Sequence, residues 1–238
     1  MDGEYFMKKI ICTILCCFAV FGAFAGDVAV FQDIGFSKDG KIYFFGEYGK
    51  TDKKFVPYGE IYGVDVAKNE YVPGLVFKSQ DKSQTKASKE VYEALSAKRY
   101  SEIQKYECYK PRPEDILYIM EEESKGATDE IVFKSFEESE YEYHVKLVPT
   151  FYGNKSSFYI NVEVFDKEGN CKVSYKAGTP SIKRPNVTGY KIIKIFTNAN
   201  KEGVVFVVEK TIEDENGTSI RYMVETTKLS EPVDGEKR

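Results

Sequence analysis

Two stretches of the chain alternate apolar and polar residues with period two. Tyr141, Tyr143, Val145 and Leu147 are separated by Glu142, His144 and Lys146. Phe158, Ile160, Val162 and Val164 alternate with Tyr159, Asn161 and Glu163. Successive side chains of a strand point to opposite faces, so each pattern predicts a strand with one buried face. Val204 to Val208 is apolar at every position and predicts a central strand buried on both faces. Tyr190 to Phe196 precedes it, and Lys167-Glu168-Gly169-Asn170 turns the chain into Val173 and Tyr175. Residues 178–187, with Pro180 and Pro185, read as a loop. Asn216-Gly217 between Thr211–Glu213 and Ile220–Thr226 reads as a type I′ hairpin, because that turn needs positive φ at both central residues.

The N-terminal third reads the same way. Val28 to Phe36, the turn Ser37-Lys38-Asp39-Gly40, and Lys41 to Tyr48 form one hairpin. Ile61 to Val66 and Tyr71 to Phe77 form the next pair, turned by Ala67-Lys68-Asn69-Glu70. Pro73 confines the last of these to a sheet edge or interrupts it, since proline donates no ladder hydrogen bond. The period then changes. Polar residues 79–90 read as a linker, and Ser88 is placed as a helix N-cap. Val91, Tyr92, Leu95, Ile103 and Tyr106 fall within about 120° of arc at helical spacing, predicting a helix over 89–106 that ends before Pro111 and Pro113. Residues 114–123 fit either a short helix or a strand. The expected fold is therefore mainly β (α+β): antiparallel sheets in a sandwich-like or partial-propeller arrangement, with one helical insertion near 80–125. A single β-rich domain over 26–230 with a flexible tail at 231–238 is expected; two β-lobes flanking the helix are the alternative.

The N-terminus departs from all of this. Met7-Lys8-Lys9 is followed by the uncharged run Ile10 to Phe24, then Ala23-Phe24-Ala25 and Gly26. Basic, apolar, then small-x-small is the order of a secretory signal peptide cut between Ala25 and Gly26, with Met7 as the expected true start. The run is shorter than the roughly 20 residues of a membrane span, and Cys16 and Cys17 lack the small preceding residue of a lipoprotein site.

Composition narrows the function classes. The 238 residues carry 34 Lys+Arg against 38 Asp+Glu, a net charge of −4 that argues against nucleic acid as a partner. The membrane is expected to be met only in transit. Removal of residues 1–25 takes Cys12, Cys16 and Cys17 and leaves Cys108 and Cys171. Two cysteines in an exported chain suggest either one disulfide or two separate buried thiols. A disulfide would close a loop of about 60 residues and add roughly 4 kcal/mol in the loop-entropy model.

Phe36-Ser37-Lys38-Asp39-Gly40-Lys41-Ile42-Tyr43-Phe44, followed by Ile61-Tyr62-Gly63-Val64-Asp65, resembles one blade of a TolB-type β-propeller. A propeller needs at least four such blades, and Phe165-Asp166-Lys167-Glu168-Gly169 is a weak echo. A second resemblance spans most of the chain after residue 25. Asp33 to Ser37, Phe45 to Gly49, Pro57 to Asp65, Gly189 to Ile192 and the Val-rich strand at 204–208 are similar to a family of predicted secreted bacterial proteins of unknown function. That resemblance implies export and domain extent and assigns no catalytic residue.

Candidate chemistry is sparse. His144, the single histidine, shares the polar face of its strand with Glu142 and Lys146 and reads as solvent-exposed. One His with Cys108 and Cys171 does not make a zinc site. No metal and no cofactor is expected. Asp166-x-Glu168-Gly169 and Asp214-x-Asn216-Gly217 fall short of calcium loops and read as turns. No P-loop, dinucleotide fingerprint or Gly-x-Ser-x-Gly elbow occurs. Glu47, Asp65 and Glu163 lie on or beside strands and are the acids available for a glycosidase-like pair. Aromatics crowd residues 43–71, and Tyr43, Tyr48, Tyr58 and Tyr62 are the candidate interaction surface; a Phe/Tyr-packed core is the alternative. Export without a catalytic constellation points to a periplasmic or secreted, non-enzymatic binding or envelope-accessory protein. Its partner would be a protein or a small-molecule or glycan ligand. The rival is an exported glycosidase-like hydrolase using paired carboxylates.

Overall fold

The computed structural model describes residues 26–51, 54–120, 130–134, 141–215 and 217–228. The expected signal peptide at 1–25, Asn216 and the tail from residue 229 lie outside them. The first sheet is an antiparallel meander in the order β1 (Val30–Phe36), β2 (Ile42–Lys50), β3 (Pro57–Asp65) and β4 (Glu70–Gln80). The Asp39 turn forms as expected: Ser37 Oγ donates to Asp39 Oδ1 (2.7 Å), and the same oxygen accepts the Lys41 N–H. Pro73 both lies on an edge strand and interrupts it, for the β3–β4 register shifts between Tyr62 and Val64.

The helix α1 (Ser88–Gln104) closes one face of this sheet. Its N-cap is Ala87, one residue before the expected Ser88, because the Glu90 carboxylate reaches back to accept the Ala87 N–H (2.8 Å). Tyr92 and Leu95 pack on Phe44, Ile61, Leu75 and Phe77. The helix lies against β2 and β3 where those strands carry glycine. A Cβ on Gly59 would meet the Tyr92 Cα at 2.6 Å, and one on Gly46 would meet the Tyr92 ring at 2.5 Å. Of the segment 114–123, residues 121–123 lie outside the described residues; before them, β5 (Ile116–Ile119) is a strand that follows one short 3₁₀ turn, Pro113–Asp115.

The second sheet holds β6 (Ile131–Lys134), β7 (Glu142–Tyr152), β8 (Lys155–Phe165), β9 (Cys171–Ala177) and β10 (Arg184–Pro185). The third is ordered β13-β12-β11-β5, with β11 (Val187–Thr197), β12 (Gly203–Asp214) and β13 (Gly217–Lys228). Asp214 pairs with Gly217 where β12 meets β13; the expected Asn216-Gly217 turn centre includes Asn216, which lies outside the described residues.

The third sheet lies between the other two. Val204, Phe206 and Val208 of β12 pack with Val145, Phe158 and Ile160 of the second sheet. Val205 and Val207 face the other way, onto Tyr43, Phe45 and Val64 of the first. This is why residues 204–208 are apolar at every position: strand alternation sends successive side chains into two different cores. The layers run helix, sheet, sheet, sheet, a β-rich sandwich-like stack. The three sheets of the described residues are fewer than the four blades of a complete propeller.

Of the two alternatives for the cysteines, no disulfide is seen: Cys108 and Cys171 are both free thiols. Cys108 sits half-buried at the margin of the helix-side core, where burial pushes its pKa up to about 11, while Cys171 is exposed on β9.

Candidate functional site

A cleft opens along the edge strand β13 of the central sheet. Its floor is the edge strand β13, one wall is β3 and β4, and the other is the loop between β9 and β10. The cavity measures about 660 Å³, and Glu47, Tyr58, Glu60, Tyr62, Tyr71, Arg184, Lys210, Arg221, Tyr222 and Glu225 all line it.

Each carboxylate on the floor is held by protein donors. Tyr58 Oη donates to Glu47 Oε1 (2.7 Å), and the Tyr222 backbone N–H donates to Glu47 Oε2. Glu225 accepts from the Asn69 side-chain amide and from Arg184 Nη2 (3.4 Å). Asn69 can serve because it turns β3 into β4 at φ 56, a left-handed conformation that asparagine tolerates. Its Oδ1 also accepts the Thr226 N–H (2.7 Å). Arg221 spans the floor, donating to the Asp27 carboxylate (3.1 Å) and to backbone carbonyls of Asp27 (2.9 Å) and Ile220 (2.7 Å).

Burial governs the titration of these groups. It pushes Glu47 and Glu225 above the usual carboxylate range, against the donors that oppose it. It raises the Tyr58 and Tyr62 phenols, and takes Tyr71 to about 12, so all three remain neutral donors. Burial also lowers the Lys210 ammonium, opposed by nearby Glu47. On the β3–β4 wall Tyr62 stacks on Tyr71 with ring centres 5.1 Å apart, and its hydroxyl donates to Glu60. Tyr71 is 51% exposed and presents a ring to the opening.

The expected aromatic surface divides. Tyr58 and Tyr62 line the cleft. Tyr43 does not: it is fully buried between two sheets, donating to Asp33 Oδ1 (2.9 Å). Tyr48 packs under the helix against Tyr92 (5.3 Å). The physical reason is strand parity, which sends Tyr48 to the opposite face from Tyr43; Tyr43 sits deep under the central sheet, while Tyr58 and Tyr62 lie along the cleft beside its edge strand β13, with the Arg221 guanidinium 5.6 Å from the Tyr58 ring. Of the three acids singled out from sequence, only Glu47 reaches the cleft. Asp65 accepts N–H groups in the β3–β4 turn, and Glu163 faces His144 across β7–β8. His144 is half-buried rather than solvent-exposed, between Glu142 (3.0 Å from Nε2) and Glu130 (3.3 Å from Nδ1), with Phe165 edge-on at 4.6 Å. Among the described residues no cluster of three or more His, Cys, Asp or Glu suits a metal. Asp166 and Asp214 sit at hairpin ends as expected.

Arg184, Lys210, Arg221 and Glu225 were not anticipated. Their only signal is a charge set within an apolar ladder, as in Arg221, Met223 and Glu225 on one face of β13. No local pattern brings that strand beside β3.

A family model described as "Predicted secreted protein (DUF2259)" matches residues 44–228, and the chain belongs to this family. The match takes in every residue of the cleft named above. No curated protein and no solved structure matches the chain. No helix among the described residues is long and apolar enough to cross a membrane.

Proposed function

We propose that the chain, as a member of that family, is exported after cleavage between Ala25 and Gly26 and acts by binding a ligand in the cleft along β13. The observation that carries this reading is the open, Tyr-walled cleft left where the central sheet ends. Binding sites are concave, with aromatic surface and a few fixed polar groups, and here Tyr62 and Tyr71 give the surface while Glu60 and Arg184 are fixed at its sides. The floor carboxylates already accept hydrogen bonds from protein donors, which suits scaffolding better than proton transfer. Periplasmic or extracellular residence follows from the same N-terminal pattern.

A second reading, a hydrolase, has one observation in its favour. Glu47 and Glu225 line one cleft, and burial pushes both carboxyls upward, as a general acid requires. One experiment separates the two. The full chain is profiled for glycan binding and for glycoside hydrolysis, together with Tyr71→Ala, Glu47→Gln and Glu225→Gln. Binding lost in Tyr71→Ala without turnover by any form supports the binding reading. Turnover abolished by either glutamine substitution sinks it.

A further inference from the structure

Among the described residues, Lys210 is the one cation lining the cleft without an ion-pair or hydrogen-bond partner. Arg221 is paired with Asp27 at 3.1 Å and Arg184 with Glu225 at 3.4 Å. Lys210 is half-buried on β12, yet among the described residues no carboxylate lies within ion-pair distance and no acceptor takes its hydrogen bonds. Glu47 and Glu60 act on it only from beyond contact distance, and holding an ammonium partly out of water without a directly paired anion is unfavourable, so an anion placed there offsets the cost.

The surroundings say what kind of anion. A second basin adjoins the cleft and shares Thr51, Gln80, Arg184 and Lys210 with it. Among the described residues this basin is cationic: Lys54, Lys82, Arg184 and Lys210 line it against Asp214. It shares Asn186 and Val187 with a third basin at the β7–β8 hairpin tip, where Phe151 is 53% exposed. The three basins adjoin one another in series through shared lining residues, with Lys210 and Arg184 at the junction of the first two and the exposed rings of Tyr71 and Phe151 in the two outer basins. A groove of that form fits an elongated ligand rather than a compact one.

Resting on the binding reading above, we propose that the groove holds a linear acidic polysaccharide, with an anionic group at Lys210 and Arg184 and sugar faces on Tyr71 and Phe151. Aromatic rings suit the apolar faces of sugar rings, and the cationic basin suits repeated carboxylates or sulfates. An extended peptide is the other linear polymer to consider, and it would add to the sheet through the open edge of β13. That edge is largely taken: the N–H groups of Ile220, Tyr222 and Thr226 donate to the Asp27 carbonyl, Glu47 and Asn69.

The test titrates the full chain with oligogalacturonate, with cellohexaose as a neutral oligosaccharide, and with poly-L-glutamate. Oligogalacturonate is expected to bind with an affinity that falls as salt rises. Lys210→Gln should weaken it roughly tenfold or more, while Lys210→Arg retains it. Thermal midpoints of both variants establish that they fold. Should Lys210→Gln fail to fold, loss of salt dependence in Lys54→Gln/Lys82→Gln serves as the readout. Cellohexaose binding as tightly as oligogalacturonate, unchanged by Lys210→Gln, overturns this inference and leaves the binding reading standing. Poly-L-glutamate binding more tightly than oligogalacturonate overturns the saccharide assignment. Absence of binding to all three overturns the inference, and binding unaffected by Tyr71→Ala counts against the cleft itself.

Discussion

The first sheet has two faces that the same four strands supply, and they have opposite characters. On the helix side, Phe44, Ile61, Leu75 and Phe77 meet Tyr92 and Leu95 in a dry contact, with Gly46 and Gly59 making room for the Tyr92 ring and backbone. On the other side, Tyr43 and Phe45 are equally buried at one end of the sheet, but Tyr58, Glu60 and Tyr62 face an opening where the covering sheet ends. The contrast shows that what a strand face becomes depends on how far its partner layer extends. Aromatic residues serve as core on the covered part and as wall on the uncovered part.

The sharpest way to break the contrast is to remove a side chain from the covered face. Leu95→Ala should cost about 2–5 kcal/mol, the range for a buried leucine that leaves a cavity, read from the denaturation midpoint. Tyr71→Ala on the open face should stay within about 1 kcal/mol of the parent, because half of that side chain already meets solvent. Equal losses from the two substitutions would erase the distinction. Gly59→Ala adds rather than removes volume: its methyl group must displace the Tyr92 backbone, and the expected cost is about 1–3 kcal/mol.

A smaller effect is expected from pH. Burial raises the Glu47 carboxyl, so the folded chain keeps that proton to higher pH than the unfolded chain does. The resulting stabilisation is present below the ordinary glutamate pKa and is lost as pH rises through the raised value. Glu47→Gln should flatten stability measured at stepped pH across that window, and Glu225 shifts in the same direction. A slope unchanged by the substitution would remove Glu47 as its source. The least perturbing probe is alkylation. Cys171 should react readily in the native state and Cys108 slowly, since one thiol is exposed and the other half-buried with its pKa near 11. Refusal of both to react without reductant would restore the disulfide.

Much of this architecture is legible from periodicity, because strand alternation is a local property. The Tyr143 and Ile160 faces, the two-sided apolar run of β12 and the Asp39 and Asn69 turns are all visible one segment at a time. Register and layer extent are not local. Whether Tyr43 or Tyr62 lies along the cleft depends on where β13 sits relative to β3, and residues more than 150 positions apart decide it, as in the Asn69 contacts with Glu225 and Thr226. Segment 114–123 was ambiguous for the same reason: Ile116 to Ile119 becomes a strand by pairing with β11, far along the chain. Lys210 could be seen as a charge following an apolar run but not as a cation lacking a partner, since that depends on everything around it.

The central position of the third sheet also sets an order of events. Its three long strands, β11 to β13, come after both sheets that they separate. Until residues 187–228 arrive, Tyr43 and Phe45 on one side and Phe158 and Ile160 on the other have no layer to pack against. Neither core that includes this sheet can therefore close early, and the long sequence separations make closure slow. On the export proposed above, that delay would be useful: a chain in transit stays extensible and gains its cohesion only when the last strands are free to pair.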